Sequence, residues 1–365
     1  MKKSFFFVIL FLASCLVHAQ ESTPSLFNPV IKFKGLVQAR YEQSLSDSID
    51  VNGKIASAPL KSNFRLRRIE LRADITLNNH WSGVIRVQLP ELKTPTPGRA
   101  IELAYFEYKY NSHFSIRGGQ FKVPYELDEL TSHEDLRMID RGTTDRIIVS
   151  NNYASYQPGL MVFGTFLTNT PVNYYASITN GSDRSLPFDN NSQKNFTGRL
   201  EFYPIKSLRL AVNGQTAGIT KNVTGSTGGV DFSLQQKLSD KLNLIVEGEY
   251  MGGTNILAYT ASSDSVKKAK DFNINSYFGQ ALLRINIAQP WCRTFEIGGK
   301  YENTNPLHSA DNDAFSTITA GIGFIFLPDN DARLQINFIH TDYQLEIQGA
   351  QKNNNMLVAQ LQLKI

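Results

Sequence analysis

Arg68-Ile69-Glu70-Leu71-Arg72-Ala73-Asp74-Ile75-Thr76-Leu77 decides the fold class of this chain. The odd positions are apolar and the even positions charged or polar. A strict period of two describes an extended strand with one greasy and one wet face, whereas a helix would repeat every 3.6 residues. The pattern recurs where Trp81, Gly83, Ile85, Val87 and Leu89 oppose Ser82, Val84, Arg86 and Gln88. It recurs again where Phe196, Gly198, Leu200 and Phe202 oppose Thr197, Arg199 and Glu201, and where Leu208, Leu210 and Val212 oppose Arg209, Ala211 and Asn213.

Working outward, short turns fall near residues 78–80, 111–113, 168–171, 204–207, 239–241, 288–293 and 327–331. Between them lie longer stretches near 43–62, 90–100, 122–158, 180–194, 216–228, 251–272, 303–314 and 342–354. Connections sorted by length are what an up-and-down barrel requires, with tight turns on the periplasmic rim and long loops outside. A soluble sandwich has no reason to sort them. The reading is an all-β transmembrane antiparallel up-and-down β-barrel of about 16 strands, each supplying the roughly 9–11 residues that cross a bilayer. The C-terminal strand fits, with Leu357, Ala359, Leu361, Leu363 and Ile365 apolar against Gln360, Gln362 and Lys364. Tyr105, Phe106, Tyr108, Tyr110, Tyr174 and Tyr175, together with Trp81 and Trp291, are expected to form interfacial girdles.

The N-terminus carries Lys2 and Lys3, an apolar run from Phe5 to Leu12, then Val17-His18-Ala19. These are the parts of a cleaved secretory signal peptide, residues 1–19, with cleavage expected after Ala19. The apolar run is shorter than the roughly 20 residues of a spanning helix. Leu12-Ala13-Ser14-Cys15 offers an alternative lipoprotein site, but the apolar run continues past Cys15 and a barrel needs no second anchor. The exported remainder, 20–365, is the barrel, placed in the outer membrane of a Gram-negative-type cell and in contact with its lipid.

Removing Lys2 and Lys3 takes the formal net charge from +4 to +2, too small for a nucleic-acid-binding surface. Cys292 is the one cysteine left, which excludes an intrachain disulfide and a thiolate metal cluster. No Gly-x-Ser-x-Gly elbow is present, and His133-Glu134 lacks the second histidine of a zinc helix. His80, His113 and His340 read as structural or solvated. Gly321 and Gly323 lie in a strand pattern that runs into Phe324 and Phe326, and are read as permitting curvature. Neither an enzyme, a cofactor nor a metal site is expected.

The stretch from Ser115 to Arg141 carries Gly119, Gln120, Phe121, Lys122, Pro124, Tyr125, Ser132, Leu136, Asp140 and Arg141. It resembles the signature of the phosphate-selective porin O and P family, in which a strand ending in Gly-Gln-Phe-Lys-x-Pro-aromatic opens a long loop closed by an acidic-Arg pair. Asp140 stands where Glu is more usual, Tyr125 where Phe is common, and Ile365 where barrels usually end on an aromatic. The resemblance implies that the loop at 122–158 folds into the lumen as a constriction, bringing Lys122, Arg137, Arg141 and Arg146 beside the solute. It further implies a homotrimer that passes small hydrophilic solutes or anions.

By the alternation, Arg68, Arg72, Arg86, Arg117, Arg199, Arg209, Arg284 and Arg333 point inward, as do Glu70, Asp74, Glu107, Glu201, Glu247, Glu249, Glu296 and Glu302. Along one strand these would pair into ladders that brace the wall. Arg86 and Arg117 lack an acidic neighbour on their own strand face and are expected to be free positive charges. The function read from the sequence is a water-filled diffusion channel, general or mildly anion-preferring; a phosphate preference is implied by the family resemblance alone and has no support in the net charge. The competing reading is a surface adhesin or receptor of little conductance, using the loops at 216–228 and 264–270.

Overall fold

A computed structural model describes residues 29–167, 170–182, 186, 188–263, 266–308, 313–344 and 353–365, so the signal-peptide expectation for residues 1–19 lies outside the described residues. Its strands are β1 (Val30–Ser44), β2 (Ser62–Thr76), β3 (Trp81–Gln88), β4 (Ile101–Lys109), β5 (Ser115–Lys122), β6 (Tyr156–Phe166), β7 (Val172–Thr179) and β8 (Asn195–Ile205). They continue as β9 (Leu208–Thr220), β10 (Val223–Lys237), β11 (Leu242–Thr254), β12 (Asn273–Gln289), β13 (Cys292–Asn305), β14 (Phe315–Ile325), β15 (Ala332–Tyr343) and β16 (Asn353–Lys364). Each pairs antiparallel with its sequence neighbours, and β1 pairs with β16, so the sheet closes on itself. Closure removes both sheet edges, which is what lets a β-structure cross lipid without unsatisfied backbone groups.

The alternation holds along the wall. Leu71, Ile85, Leu160, Leu200, Val212, Val230, Ile297, Ile318 and Leu361 are exposed on the outside, while Arg199, Glu296, Arg333, Gln360 and Gln362 are buried inside. Two of the bulges that break the parity move charge inward. Gln38 pairs with Arg68 and Ala39 with Leu66, leaving Arg67 as an extra residue. Phe64 and Leu66 then face outward, and Arg65 sits opposite the buried Arg40. Without the bulge, Arg65 and Arg67 would share the lipid face with Ile69. In β4, Arg86 pairs with Leu103 and Val87 with Ile101, so Glu102 is the extra residue and is buried.

Three expectations need correction, and the glycines of β14 gain a further reason. The stretch 216–228 is not a loop: β9 and β10 run through it and are joined by Lys221 and Asn222 alone. Threonine favours strands, and cross-strand pairs such as Gly214 with Gly228 fit a sheet as well as a loop. Tyr105 and Tyr175 face the lumen and do not join the girdle. Trp81 packs against Phe106 and Tyr108 on the outer face, as Phe166 does against Tyr174. Gly321 and Gly323 clear space inside: a Cβ on Gly321 would overlap Asn337 and crowd Met138, and one on Gly323 would lie 2.6 Å from Glu296 Oε2. The ion-pair ladders run largely between strands, because lumenal side chains of neighbouring strands stand closer than two positions along one strand.

Gly119 of the signature has φ +120°, and a Cβ there would overlap the Ala104 carbonyl oxygen and stand 2.8 Å from the Tyr105 Cα. Replacement by Val combines that overlap with backbone strain of roughly 1–3 kcal/mol. G119V is expected to lower the yield of heat-modifiable folded barrel on refolding into detergent, while G279A, with nothing within 4 Å of its new methyl, leaves it unchanged.

Candidate functional site

Residues 123–155 turn into the barrel after β5 instead of leaving it. A loop in that position has no sheet to satisfy its backbone, so every buried amide and carbonyl needs another partner. The roots are apolar: Val123, Tyr125, Ile148, Tyr153 and Ala154 of the loop pack with Ala217, Met251 and Ile274 of the wall. Beyond them the partners are wall side chains. Gln38 donates to the His133 carbonyl (3.4 Å), Gln362 to that of Glu134 (3.2 Å), Arg333 to that of Leu136 (2.9 Å) and Gln335 to that of Arg137 (3.2 Å). The Ile139 amide donates to Asn337 Oδ1 (2.7 Å) and that of Thr143 to Glu302 Oε1 (2.8 Å). The uncharged lumenal amides of β1, β15 and β16 are therefore ligands of the loop, a role with no sequence signal because the partners lie more than ninety residues apart.

Within the loop, helix α1 (Leu127–Leu130) is a single turn with charges at both ends. The Glu126 carboxylate accepts from the Asp128 and Glu129 amides, and Glu249 of β11 accepts from the Leu127 amide (3.2 Å). At the other end Arg141 donates to the carbonyls of Asp128 (2.8 Å) and Thr131 (2.9 Å), and Lys122 donates to those of Glu129 and Thr131. Acids at the N-terminus and cations at the C-terminus complement the peptide dipoles. A second helix, α2 (Thr143–Ser150), follows; the Thr144 hydroxyl shares a hydrogen bond with Ser276 (2.7 Å).

This geometry reassigns most of the arginine candidates. Lys122 and Arg141 brace α1 and do not stand free beside a solute. Arg137 is held by Glu247 of β11 at 3.0 Å. Arg86 and Arg117 are not free charges: Glu102 of β4 meets Arg86 at 2.9 Å and Glu107 of β4 meets Arg117 at 2.7 Å. Their partners come from the adjacent strand, which inspection of one strand face could not reveal. Arg117 also lies over the rings of Tyr105 (4.3 Å) and Phe163 (4.9 Å). Arg72 pairs with Asp74 along its own strand at 2.6 Å, as the ladder reading expects.

Arg68 donates to Gln38, and Arg146 on α2 is exposed; neither has a carboxylate within ion-pair distance among the described residues. Three arginines absent from the sequence-derived set also face this part of the lumen: Arg40, Arg67 and Arg65, the last paired with Glu42 at 2.6 Å. Arg40 forms a two-pronged pair with Asp140 of the loop (2.7 and 3.0 Å). Burial alone would raise the Asp140 pKa, but Arg40 and Arg67 outweigh it and hold the carboxyl well below its ordinary range. The Arg65 and Arg67 side chains remain 42% and 33% exposed, against 10% for Arg141. Arg67 touches Asp140 only at 3.9 Å, and its buried Nε has no hydrogen-bond partner among the described residues. The bulge at Arg67 hid this pair from a strict two-residue count.

The loop lies between two cavities. The one toward the long loops, about 860 Å³, is lined by Arg65, Arg67, Arg68, Arg141, Arg146 and Lys300 against Glu42, Asp140, Asp145 and Glu302: six cations and four carboxylates. The one toward the short turns, about 720 Å³, has Lys237, Arg284, Arg293 and Lys364 against Asp135 and Asp329. Both are positive although the chain is almost balanced.

The family model for "phosphate-selective porin O and P" matches residues 41–240, more than half of the chain and the whole of the inward loop. The chain belongs to this family. It is therefore a porin, and its barrel forms a diffusion channel. No curated protein matches it in sequence. Among solved structures, the outer membrane channel DcaP of Acinetobacter baumannii superposes with a TM-score of 0.59 at 16% identity over 93% of this chain and 98% of that one. OmpT of Vibrio cholerae gives 0.57 at 11% over 95% and 100%, and the anion-selective porin of Comamonas acidovorans gives 0.56 at 10% over 93% and 100%. At these identities the likeness concerns the fold, that of outer-membrane barrels.

The bracing of α1 gives a prediction. Removing the Arg141 guanidinium strands buried carbonyls and carboxylates at a cost of roughly 3–5 kcal/mol to the loop. R141M is expected to make residues 123–155 a protease cleavage site and single-channel current noisier, while the barrel's melting temperature moves by only a few degrees.

Proposed function

We propose that this porin is exported with residues 1–19 removed, assembles as a homotrimer in the outer membrane, and passes small hydrophilic solutes with a preference for anions, the loop at 123–155 setting the constriction. The observation that carries the preference is the excess of cations around the larger cavity, six against four. Arg67 and Arg146 supply its accessible share, with Arg65, whose guanidinium meets Glu42 at 2.6 Å but keeps 42% of its side chain exposed. Guanidinium groups lining a wet lumen raise the local concentration of anions, and their planar forks match phosphate and carboxylate oxygens. The wall pairs contribute little to selection, because each guanidinium already faces a carboxylate. The anion-selective porin of Comamonas acidovorans and a trimer form of Vibrio cholerae OmpT have the same fold, which is compatible with both parts of the reading.

The adhesin or receptor alternative loses one of its two surfaces, since 216–228 is strand. A planar bilayer separates the readings. The wild-type protein is expected to give stepwise openings with a reversal potential on the anion side in a salt gradient. The triple variant R65E/R67E/R146E, which turns six cations and four carboxylates into three and seven, is expected to reverse its sign. A wild-type channel that prefers cations overturns the anion reading, and a protein that passes no current overturns the channel reading.

A further inference from the structure

The tip of the inward loop carries a histidine that anion passage does not use. His133 is buried, with Nδ1 against the Glu70 carboxylate of β2. Glu102, the extra residue of the β4 bulge, reaches the same point from the other side. One ligand atom from each of the three lies within 4.8 Å of the other two, and all three residues are at most 5% exposed. Arg86 meets Oε2 of both carboxylates, at 3.5 Å for Glu70 and 2.9 Å for Glu102, while Glu70 turns Oε1 to the imidazole. Two carboxylates and one guanidinium leave a local charge of −1. Arg68, Lys122 and Arg141 are nearby, but their donors are directed to Gln38 and to the α1 carbonyls.

We propose that Glu70, Glu102 and His133 form a site for a first-row divalent transition-metal ion, which fastens the loop tip to the barrel wall. One imidazole nitrogen and two carboxylate oxygens suit Zn²⁺ and its neighbours better than Mg²⁺ or Ca²⁺, which prefer all-oxygen shells. Donor atoms on a tetrahedral ion stand roughly 3.3–3.6 Å apart, given ligand bonds of about 2.0–2.2 Å, so the cluster needs only side-chain adjustment. Three protein ligands leave a fourth position for water. Sequence spacing gives no hint of such a site, because its ligands come from β2, the β4 bulge and the loop.

The test is a Zn²⁺ titration of the folded full barrel in detergent against a chromophoric chelator. One ion per chain is expected, with H133Q and E102Q each weakening binding at least tenfold and H113Q, at an exposed turn, leaving it unchanged. Circular dichroism melts verify that the variants are folded. The wild-type result stands without them: no stoichiometric ion overturns the proposal. Binding that H113Q abolishes, or that folded H133Q and E102Q both retain within twofold, overturns it equally.

Discussion

A polypeptide segment that crosses the inside of a barrel must have its backbone hydrogen bonds supplied from the wall. In this porin that demand is met by side chains from one arc of the wall, running from β11 through β16 to β1: Gln38, Glu249, Glu302, Arg333, Gln335, Asn337 and Gln362 each receive or donate to a main-chain group of residues 127–143. A donor or acceptor left unpaired there would cost on the order of 1–3 kcal/mol. The interior polarity of β1, β11, β13, β15 and β16 is thus determined by the loop as much as by water.

The same demand explains why so little of the lumen's charge is available to a solute. Arg199 is held by Glu201 and Asp231 (2.9 and 2.7 Å) and also donates to the Tyr125 carbonyl, while Arg333 and Arg284 share Glu296. These pairs stiffen the wall and anchor the loop. Selectivity is left to the charges that bracing consumes least: Arg146 and Arg67, and Arg65, which pairs with Glu42 at 2.6 Å yet stays 42% exposed.

The barrel was legible in the sequence because alternation and turn chemistry are local, and the strand count, the closing strand and the inward carboxylates all follow from them. Charge partners were not, because Glu107 meets Arg117, and Glu102 meets Arg86, through strand register, which single-strand patterns do not encode. The motif at Gly119–Arg141 located the right loop, yet Lys122 and Arg141 within it proved to be braces of α1. Their roles depend on a helix of one turn, too short to show any periodicity. The hairpin of β9 and β10 was missed for the opposite reason: its glycines and threonines carry a turn-like composition in a fully paired sheet.

The bulge at Arg67 has a consequence for how this wall can change over generations. Adding or losing one residue on the open-loop side of β2 would turn every side chain beyond it through half a revolution, bringing Phe64 and Leu66 into water and Arg65 into lipid. Length changes in that stretch are therefore tolerable in twos but not in ones, so the strand behaves as a code read with a fixed parity. Arg67 is the single shifted character that lets two arginines share the wet side of a lipid-facing wall.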